Sequence, residues 1–339
     1  MSRNIIIFGN GIGRALDNDF FSLATAMRSA WDAQDLLTEE QKNLIRACLP
    51  DEVLEQDDAA PSSEEQLANL QRIVSACDEI VAMEAHVGGQ ECWLSPLGQQ
   101  FPRAIRTYLH QVANYFLERE TLPVAKRSLS ATFSTALREY VMGSGSNVVT
   151  LNYDDLLYDC FNDTEVFQKH RLRDGFFEGT FQIERHDRWI AQDALREGWF
   201  LHLHGSPLFL TQRGLPRKLT RPELRGYGGF DSAHLVLTNV KYKSSIIEAS
   251  EILREYWKRF RQCCGSALDV LVIGYGGGDD HLNEAISKTP DATRIRVVER
   301  RGKGRDGNAL AAEWGERFDK DNVEIILVED VMDFRGFAG

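Results

Sequence analysis

Residues 147–155, NVVTLNYDD, contain the stretch that decides the fold. Its first part, Val148 to Thr150, is β-branched and mostly apolar, which is typical of a buried strand. The run then ends abruptly at Asn152 and Asp154, residue types that disfavour strands and suit turns. We call the residues that directly follow such a strand its exit. Because ligands of open α/β sheets bind beyond the carboxyl ends of the strands, this exit predicts either a plain turn or a binding site.

Three further apolar runs end in the same manner. Residues 5–14 read IIIFGNGIGR, residues 200–206 read FLHLHGS, and residues 270–280 read VLVIGYGGGDD. Each run is long enough for one buried strand, and each leaves that strand through glycine or polar residues. Since the carboxyl ends of parallel strands meet at one edge of a sheet, the four exits predict one shared site.

The order of the segments predicts an α/β fold built on a Rossmann-like parallel sheet. Residues 17–142 place apolar side chains at helical spacing and predict a large helical insertion after the first strand. We expect this insertion to lie within a single domain that spans residues 1–339. The predicted helices cover 20–33, 39–48, 64–85, 104–118 and 129–142, and the predicted later strands cover 234–239, 294–299 and 323–328.

Charge and composition argue against several classes of protein. With 39 Lys and Arg against 51 Asp and Glu, the net charge is −12, so direct nucleic-acid binding is not expected. The apolar runs are shorter than the ~20 residues of a membrane span, and residues 1–4 lead straight into a strand, so we expect a cytoplasmic protein. None of the six cysteines forms a C-x-x-C pair, so a zinc ribbon lacks its signature.

Two glycine-rich exits are candidate nucleotide-binding turns. Gly9, Gly11 and Gly13 precede a helix, whose N-terminal backbone N–H groups can hold a phosphate. Gly274 begins the second turn, and Glu299 follows it by about 20 residues, a position from which an acidic residue commonly binds ribose hydroxyls. The spacing G-x-G-x-G departs from the dinucleotide fingerprint, so a purely structural turn is the alternative.

Two histidines lie at the end of the third run. His202 and His204 are two residues apart, so on a strand their side chains point to the same face. They could share a metal ion, but no third and fourth ligand follows at a useful spacing, and no metal site is predicted. A histidine followed by Gly205 and Ser206 at a strand end is well placed as a general base. Which of the two histidines is the base stays open.

Taken together, the four exits resemble sirtuin-like NAD-binding domains. The resemblance rests on Gly9-Asn10-Gly11, Thr150-Leu151-Asn152-Tyr153-Asp154, Leu203-His204-Gly205-Ser206 and Gly274-Tyr275-Gly276 to Asp280, in that order. These motifs are similar to those of the bacterial branch used in antiphage defence. The first turn of sirtuins usually reads Gly-Ala-Gly-x-Ser, whereas Asn10 and Gly13 stand there in this chain.

The resemblance implies that the chain binds NAD as a substrate and cleaves its nicotinamide–ribose bond, giving ADP-ribose and nicotinamide. Deacylating sirtuins carry a zinc ribbon of two C-x-x-C pairs, which this sequence lacks, so NAD hydrolysis is favoured over protein deacylation. Asn152 would hold the ribose or the attacking water, and His204 would take a proton. The implied NAD-binding residues are Gly9, Asn10, Gly11, Gly13, Asn152, Asp154, Ser206, Gly274, Tyr275, Asp280, Asn283 and Glu299.

Two alternatives and a set of partners accompany this interpretation. The alternatives are an NAD-dependent protein deacylase and a non-catalytic sensor of NAD or ADP-ribose. An effector of abortive antiphage defence has to be silent until infection, so the resemblance implies a homo-oligomer, a regulatory defence-system protein or a nucleotide signal as the switch. Residues 207–230, rich in Gly, Pro and Arg, are expected to form a mobile or partner-facing loop, and 213–225 is a candidate contact surface.

Overall fold

The computed structural model describes residues 4–49, 60–86, 93–162, 172–185, 198–227, 232–237, 240–302 and 306–338. The strands among them are β1 (Asn4–Phe8), β2 (Asn147–Thr150), β3 (Leu172–Arg173), β4 (Phe176–Phe177), β5 (Thr180–Phe181), β6 (Gly198–His202), β7 (Phe209–Gln212), β8 (Leu215–Lys218), β9 (Asp269–Ile273), β10 (Arg294–Arg300) and β11 (Val323–Val328). Seven of them form a parallel sheet in the order β11-β10-β9-β1-β2-β6-β3.

The central position of β1 follows from its composition. Ile5, Ile6 and Ile7 are all buried, so both faces of the strand are covered, as parallel α/β sheets require. Ile7 pairs with Val149 of β2 on one side and with Val272 of β9 on the other. The predicted Rossmann-like parallel sheet is confirmed.

Twelve α-helices occur in the described residues. They are α1 (Gly11–Leu16), α2 (Leu23–Asp32), α3 (Glu39–Ala47), α4 (Glu64–His86), α5 (Pro96–Tyr115), α6 (Ala131–Ser144), α7 (Leu156–Asn162), α8 (Arg221–Gly226), α9 (Val240–Ala249), α10 (Glu251–Cys264), α11 (Asp280–Ser287) and α12 (Gly307–Phe318). The helices predicted after the first strand correspond to α2 to α6, so the predicted helical insertion is present. No described helix combines the length and apolarity needed to cross a membrane.

Two hydrophobic cores cover the two faces of the sheet. On one face, Ile6 and Phe8 pack in a core that contains Trp31 and Tyr108 of the helices between β1 and β2. On the other face, Ile5 and Ile7 pack in a core that contains the α10 residues Trp257 and Phe260. The alternation along β1 therefore assigns the helical insertion to one face of the sheet.

Two sequence-based predictions are wrong in the described residues. The segment 207–227 is not an irregular loop, because it folds into β7, β8 and α8, and β7 and β8 belong to an antiparallel sheet of order β4-β5-β8-β7. The strand predicted at 234–239 is absent from 234–237, where an isolated bridge joins Gly205 to Leu235. Residues 228–230 and 238–239 lie outside the described part of the chain.

Candidate active site

The ends of four neighbouring strands surround one cavity of about 290 Å³, called here the first cavity. The strands are β9, β1, β2 and β6, which are adjacent in the sheet. They contribute Gly9 and Asn10 after β1, Leu151, Asn152, Tyr153 and Asp154 after β2, His204 after β6, and Tyr275, Gly276, Gly278 and Asp279 after β9. The first cavity therefore lies where the four exits of the sequence predict a shared site.

Side chains from the helical insertion close the first cavity. Leu23 begins α2, Glu64 begins α4 and Phe116 directly follows α5, and all three line the cavity. Phe116 stacks on Tyr153 with ring centroids 6.2 Å apart. The sequence does not predict that these residues line the site. Helical periodicity indicates which face of a helix is buried but not what that face contacts.

Asn152 presents an unused hydrogen-bond acceptor at this site. Its side-chain Nδ2 donates to the Gly9 carbonyl at 3.2 Å, and its backbone N–H donates to Thr150 Oγ1 at 3.1 Å. Its Oδ1 is buried and has no hydrogen-bond partner among the described residues. A buried carbonyl without a partner is costly, so a ligand hydroxyl or a water is the natural complement of this atom.

His204 lines the first cavity together with the two charged residues that contact it, Lys243 and Asp279. Its Nε2 lies 2.9 Å from Asp279 Oδ2 and 2.7 Å from Lys243 Nζ, and Lys243 also forms an ion pair with Asp279. Burial, followed by the Lys243 charge, lowers the pKa of His204, although Asp279 opposes the shift. The imidazole is therefore favoured in its neutral form, which can accept a proton.

Of the two adjacent aspartates after β9, Asp279 lines the first cavity and the predicted Asp280 does not. Asp279 is the N-cap of α11, where its side chain accepts from the Leu282 N–H at 3.3 Å. Burial opposes its charge, but the hydrogen bond from His204 and the nearby Lys243 hold the pKa of Asp279 below its ordinary value. Asp280 is exposed, and it lines neither the first cavity nor the second cavity described below. N-cap preference was the available signal for Asp279, whereas nothing in the sequence marked Lys243.

Asp154 is buried at the rim of the same cavity. Its Oδ1 accepts from the Leu156 N–H at 3.1 Å, which fixes the turn into α7. Burial raises the pKa of Asp154 to about 7, against the opposing effects of that hydrogen bond and of the Arg119 charge. Its protonation state therefore changes near neutral pH.

The two glycine-rich turns pack backbone against backbone. The Gly11 N–H donates to the Gly274 carbonyl at 2.7 Å, and a Cβ on Gly9 would lie 2.6 Å from that same oxygen. Gly274 itself has φ +65°, which glycine adopts at no steric cost. A Cβ on Gly13 would meet the Phe21 ring at 2.6 Å, and Gly13 lines neither described cavity. The close approach of the two turns accounts for three of these glycines.

A second cavity, of about 530 Å³, adjoins the first and shares Asn10, Tyr275 and Gly276 with it. Glu299 lines it from the end of β10 and accepts a hydrogen bond from Trp314 Nε1 at 2.8 Å. The other lining residues include Gly11, Arg14, Gly274, Arg300 and Asp330. The structure thus brings Glu299 to the same crevice as the glycine-rich turns.

Two predicted ligand-binding residues are occupied with local contacts instead. Ser206 Oγ accepts from the Leu208 N–H at 3.3 Å. Asn283 contacts the Tyr275 hydroxyl at 3.0 Å and donates to the Gly277 carbonyl at 2.9 Å. Neither residue lines the two cavities, so both support the turns from outside.

The basic segment 213–225 is largely neutralised within the chain. Lys218 pairs with Asp174, Arg221 pairs with Asp155 and Asp159, and Arg225 pairs with Glu120. Asp155 is also bound by Arg119 at 2.5 Å. Most of these cations therefore have an intramolecular partner, which the sequence could not show because the acidic partners are distant along the chain.

A comparison with protein families identifies part of this chain. Residues 146–302 match the family described as SIR2-like domain, and no curated protein matches the chain. The matched segment runs from the start of β2 to just past β10 and contains Asn152, His204, Lys243 and Asp279. The sirtuin-like resemblance is confirmed for this segment. SIR2-like domains bind NAD, so the match implies an NAD-dependent enzyme.

The described residues contain no group of three or more His, Cys, Asp or Glu side chains arranged to hold a metal ion. His202 and His204 also have different surroundings, because His202 packs among Phe200, Phe209 and Tyr158.

Proposed function

We propose that this SIR2-like protein is an NAD+ hydrolase that cleaves the nicotinamide–ribose bond and releases nicotinamide and ADP-ribose. The single observation that carries the proposal is the pairing of two groups in the first cavity. Asn152 offers a buried oxygen without a described partner, and His204 offers a neutral imidazole.

The chemistry of this bond needs both groups. Breaking it builds positive charge on the ribose, as in glycoside hydrolysis, and nicotinamide leaves as a neutral molecule, so no strong acid is needed. The Asn152 oxygen would accept from a ribose hydroxyl or from the attacking water. His204 would take the proton that this water or hydroxyl gives up. Asp154, at the rim, would bind the ribose.

The paired cavities suit a dinucleotide. In the proposed arrangement, the nicotinamide and its ribose occupy the first cavity, and the adenosine half extends into the second, toward Glu299. Gly9, Asn10, Gly11, Gly274 and Tyr275 would lie along the pyrophosphate between them. Because Leu23, Glu64 and Phe116 line the first cavity, we also propose that the chain is one sirtuin-like domain with residues 17–142 inserted.

Two other functions are less well supported. A protein deacylase would need a groove for acyl-lysine, and the sequence lacks the C-x-x-C pairs of the zinc ribbon that deacylating sirtuins carry. A non-catalytic sensor would need no proton acceptor, yet His204 stands in the cavity beside Asn152.

On the basis of the motif resemblance, we propose that the biological role is abortive antiphage defence. Activation would then come from self-assembly, a regulatory defence-system protein or a nucleotide signal. The ion pairs of segment 213–225 weaken its candidacy as a contact surface, since Lys218 and Arg221 are already engaged. The test is phage plating on bacteria that express the wild-type protein or His204→Ala, with cellular NAD followed after infection; equal protection by both would contradict the role.

The activity is tested by incubating the purified protein with NAD, alone and with infected-cell extract, and by measuring nicotinamide. Asn152→Ala and His204→Ala should each lose at least roughly 100-fold, the lower range for removing a group that acts in the transition state. His281→Ala is the matched control, because His281 lies on α11 and lines neither described cavity.

Each competing function has its own outcome in this experiment. NAD binding without nicotinamide release under any condition would favour the sensor. Release that requires an acetyl-lysine peptide would favour the deacylase. Release that persists in both Asn152→Ala and His204→Ala would place the reaction elsewhere.

A further inference from the structure

His204 forms a three-membered cluster with Lys243 and Asp279. Its Nε2 lies 2.7 Å from Lys243 Nζ and 2.9 Å from Asp279 Oδ2, and the lysine and aspartate also contact each other. All three residues line the first cavity, and their side chains are 3% exposed for Lys243, 8% for Asp279 and 19% for His204. The histidine is therefore the member of the cluster most accessible to a ligand.

Both partners belong to elements other than β6, the strand that His204 follows. Lys243 belongs to α9, and its Nζ lies 5.1 Å from the centre of the Trp257 ring of α10. Asp279 caps α11, and its backbone N–H donates to the Tyr275 hydroxyl at 2.6 Å. A buried lysine in contact with an imidazole needs an explanation, because burial of its charge is costly even when it is paired.

We infer that Lys243 and Asp279 are positioning residues that hold the His204 imidazole neutral and in fixed orientation for proton transfer. This inference rests on the proposed hydrolysis of NAD. The two partners act in opposite senses: the Lys243 cation disfavours a proton on His204 before the reaction, and the Asp279 carboxylate stabilises the imidazolium that the reaction forms. In the step itself, an O–H bond of water or ribose breaks, its electron pair stays on oxygen, and the proton binds the imidazole.

Other charged or titratable groups face this cluster from neighbouring elements. Glu64 of α4 and Asp280 of α11 act on Lys243 and favour its charged form, although burial lowers the pKa of Lys243 overall. Tyr153, next to His204, has a pKa raised well above its ordinary value by burial and stays neutral. Lys243 and Asp279 are the groups in direct contact with Nε2 among the described residues, so they should dominate its titration.

The test compares Lys243→Met, Lys243→Arg and Asp279→Asn by two measurements. The first is the pH dependence of kcat/KM for nicotinamide release, whose acid limb reports the base in the free enzyme. The second is NMR titration of His204 in protein with labelled histidine, assigned with His204→Ala. Lys218→Met is the matched control, because it removes another lysine paired with an aspartate away from His204.

Lys243→Met should raise the pKa of His204 and move the acid limb to higher pH by about one unit, the lower range for one close charge. Lys243→Arg should keep both values near wild type. Asp279→Asn should move both to lower pH, and this variant carries the test if Lys243→Met fails to fold. A purely structural role would reduce activity or stability without moving the titration.

The two measurements separate this inference from the proposed function. If His204 titrates as expected in the variants but no condition yields nicotinamide, the positioning cluster stands and the hydrolase proposal fails. If nicotinamide is released and neither the acid limb nor the NMR titration moves in Lys243→Met, the positioning inference is overturned.

Discussion

His202 and His204 stand two residues apart at the end of one strand, and their surroundings differ. The His202 ring lies 5.0 Å from Phe200 and 5.5 Å from Phe209, centroid to centroid, and burial lowers its pKa to about 3. His204 borders the first cavity instead. Both are favoured as neutral rings, so neutrality alone does not identify a base; access to a ligand does.

A lysine–aspartate pair accompanies each histidine, and the two lysines have opposite pKa shifts. Burial opposes the charge of Lys218, but Asp174 and Tyr158 outweigh it and raise its pKa. Burial dominates at Lys243 and lowers its pKa. At Lys218 the Tyr158 hydroxyl acts beside Asp174 to raise the pKa, whereas at Lys243 burial outweighs the effects of Asp279, Glu64 and Asp280.

Gly205 makes the turn that follows the two histidines. It has φ +81°, and a Cβ there would lie 1.7 Å from the His234 carbonyl oxygen. Its backbone N–H donates to the His202 carbonyl at 3.0 Å, and the His204 carbonyl accepts from the Val236 N–H at 3.0 Å. The chain therefore leaves β6 through a position that only glycine fits.

The largest expected effect is on NAD hydrolysis, when each of the two histidines is replaced in a separate variant. His204→Ala should reduce NAD hydrolysis by roughly 100-fold or more, since a general base contributes 10²–10⁴-fold. His202→Phe keeps an aromatic ring and loses a backbone hydrogen bond with Asn152, so about fivefold, or 1 kcal/mol, is expected. Nicotinamide release measures both, and an equal loss in the two variants would remove the distinction between them.

The next effect is on stability and concerns the turn between the two environments. Gly205→Ala should lower the free energy of unfolding by about 3 kcal/mol, because it combines a positive φ with a backbone clash. Chemical denaturation measures the change. Gly214→Ala is the matched control, since Gly214 also has a positive φ of 76° but a Cβ there meets nothing within 4 Å. Equal losses in the two variants would show that strain in φ, and not the close approach to His234, is what matters.

The last prediction concerns the pH dependence of stability and the Asp154 carboxylate at the rim of the first cavity. The folded-state pKa of Asp154, about 7, lies above the ordinary 3.8, so the folded protein holds this proton more tightly than the unfolded chain. Stability should therefore fall as pH rises from about 4 to 7, and Asp154→Asn should remove that part of the dependence. Melting temperatures of wild type and variant across this range test the sign; a parallel pH dependence in both would contradict it.

The sequence predicts the sheet and its shared edge because four strands are apolar runs that are followed by polar or glycine residues. These strands are β1, β2, β6 and β9. Asn152 and His204 followed from those exits and line the first cavity, whereas Ser206 and Asn283 follow the same exits and bind their own turns. A residue type at a strand end therefore predicts proximity to a site without predicting which atoms face it.

The parts that the sequence did not predict come from distant segments. Lys243 reaches His204 from a helix with ordinary amphipathic composition, and Glu64 and Phe116 reach the cavity from helices that pack by hydrophobic burial. The sequence predicts a basic contact surface at 213–225 and cannot show its ion pairs, because the partners, including Asp174 and Glu120, are distant in sequence. Contacts of this kind are fixed by tertiary packing and leave no local periodicity.

The position of β1 has a consequence for the timing of synthesis. Ile5 pairs with Asn147 and with Val270. Strand β1 therefore cannot form its hydrogen bonds in the sheet until β2 and β9 have been synthesised. At about 5–20 residues per second, roughly ten seconds to a minute separate its emergence from that of β9. Pairing between strands that are distant in sequence forms slowly. Asp279, made later still, contacts His204, so the candidate site is assembled only after the chain up to Asp279 has left the ribosome.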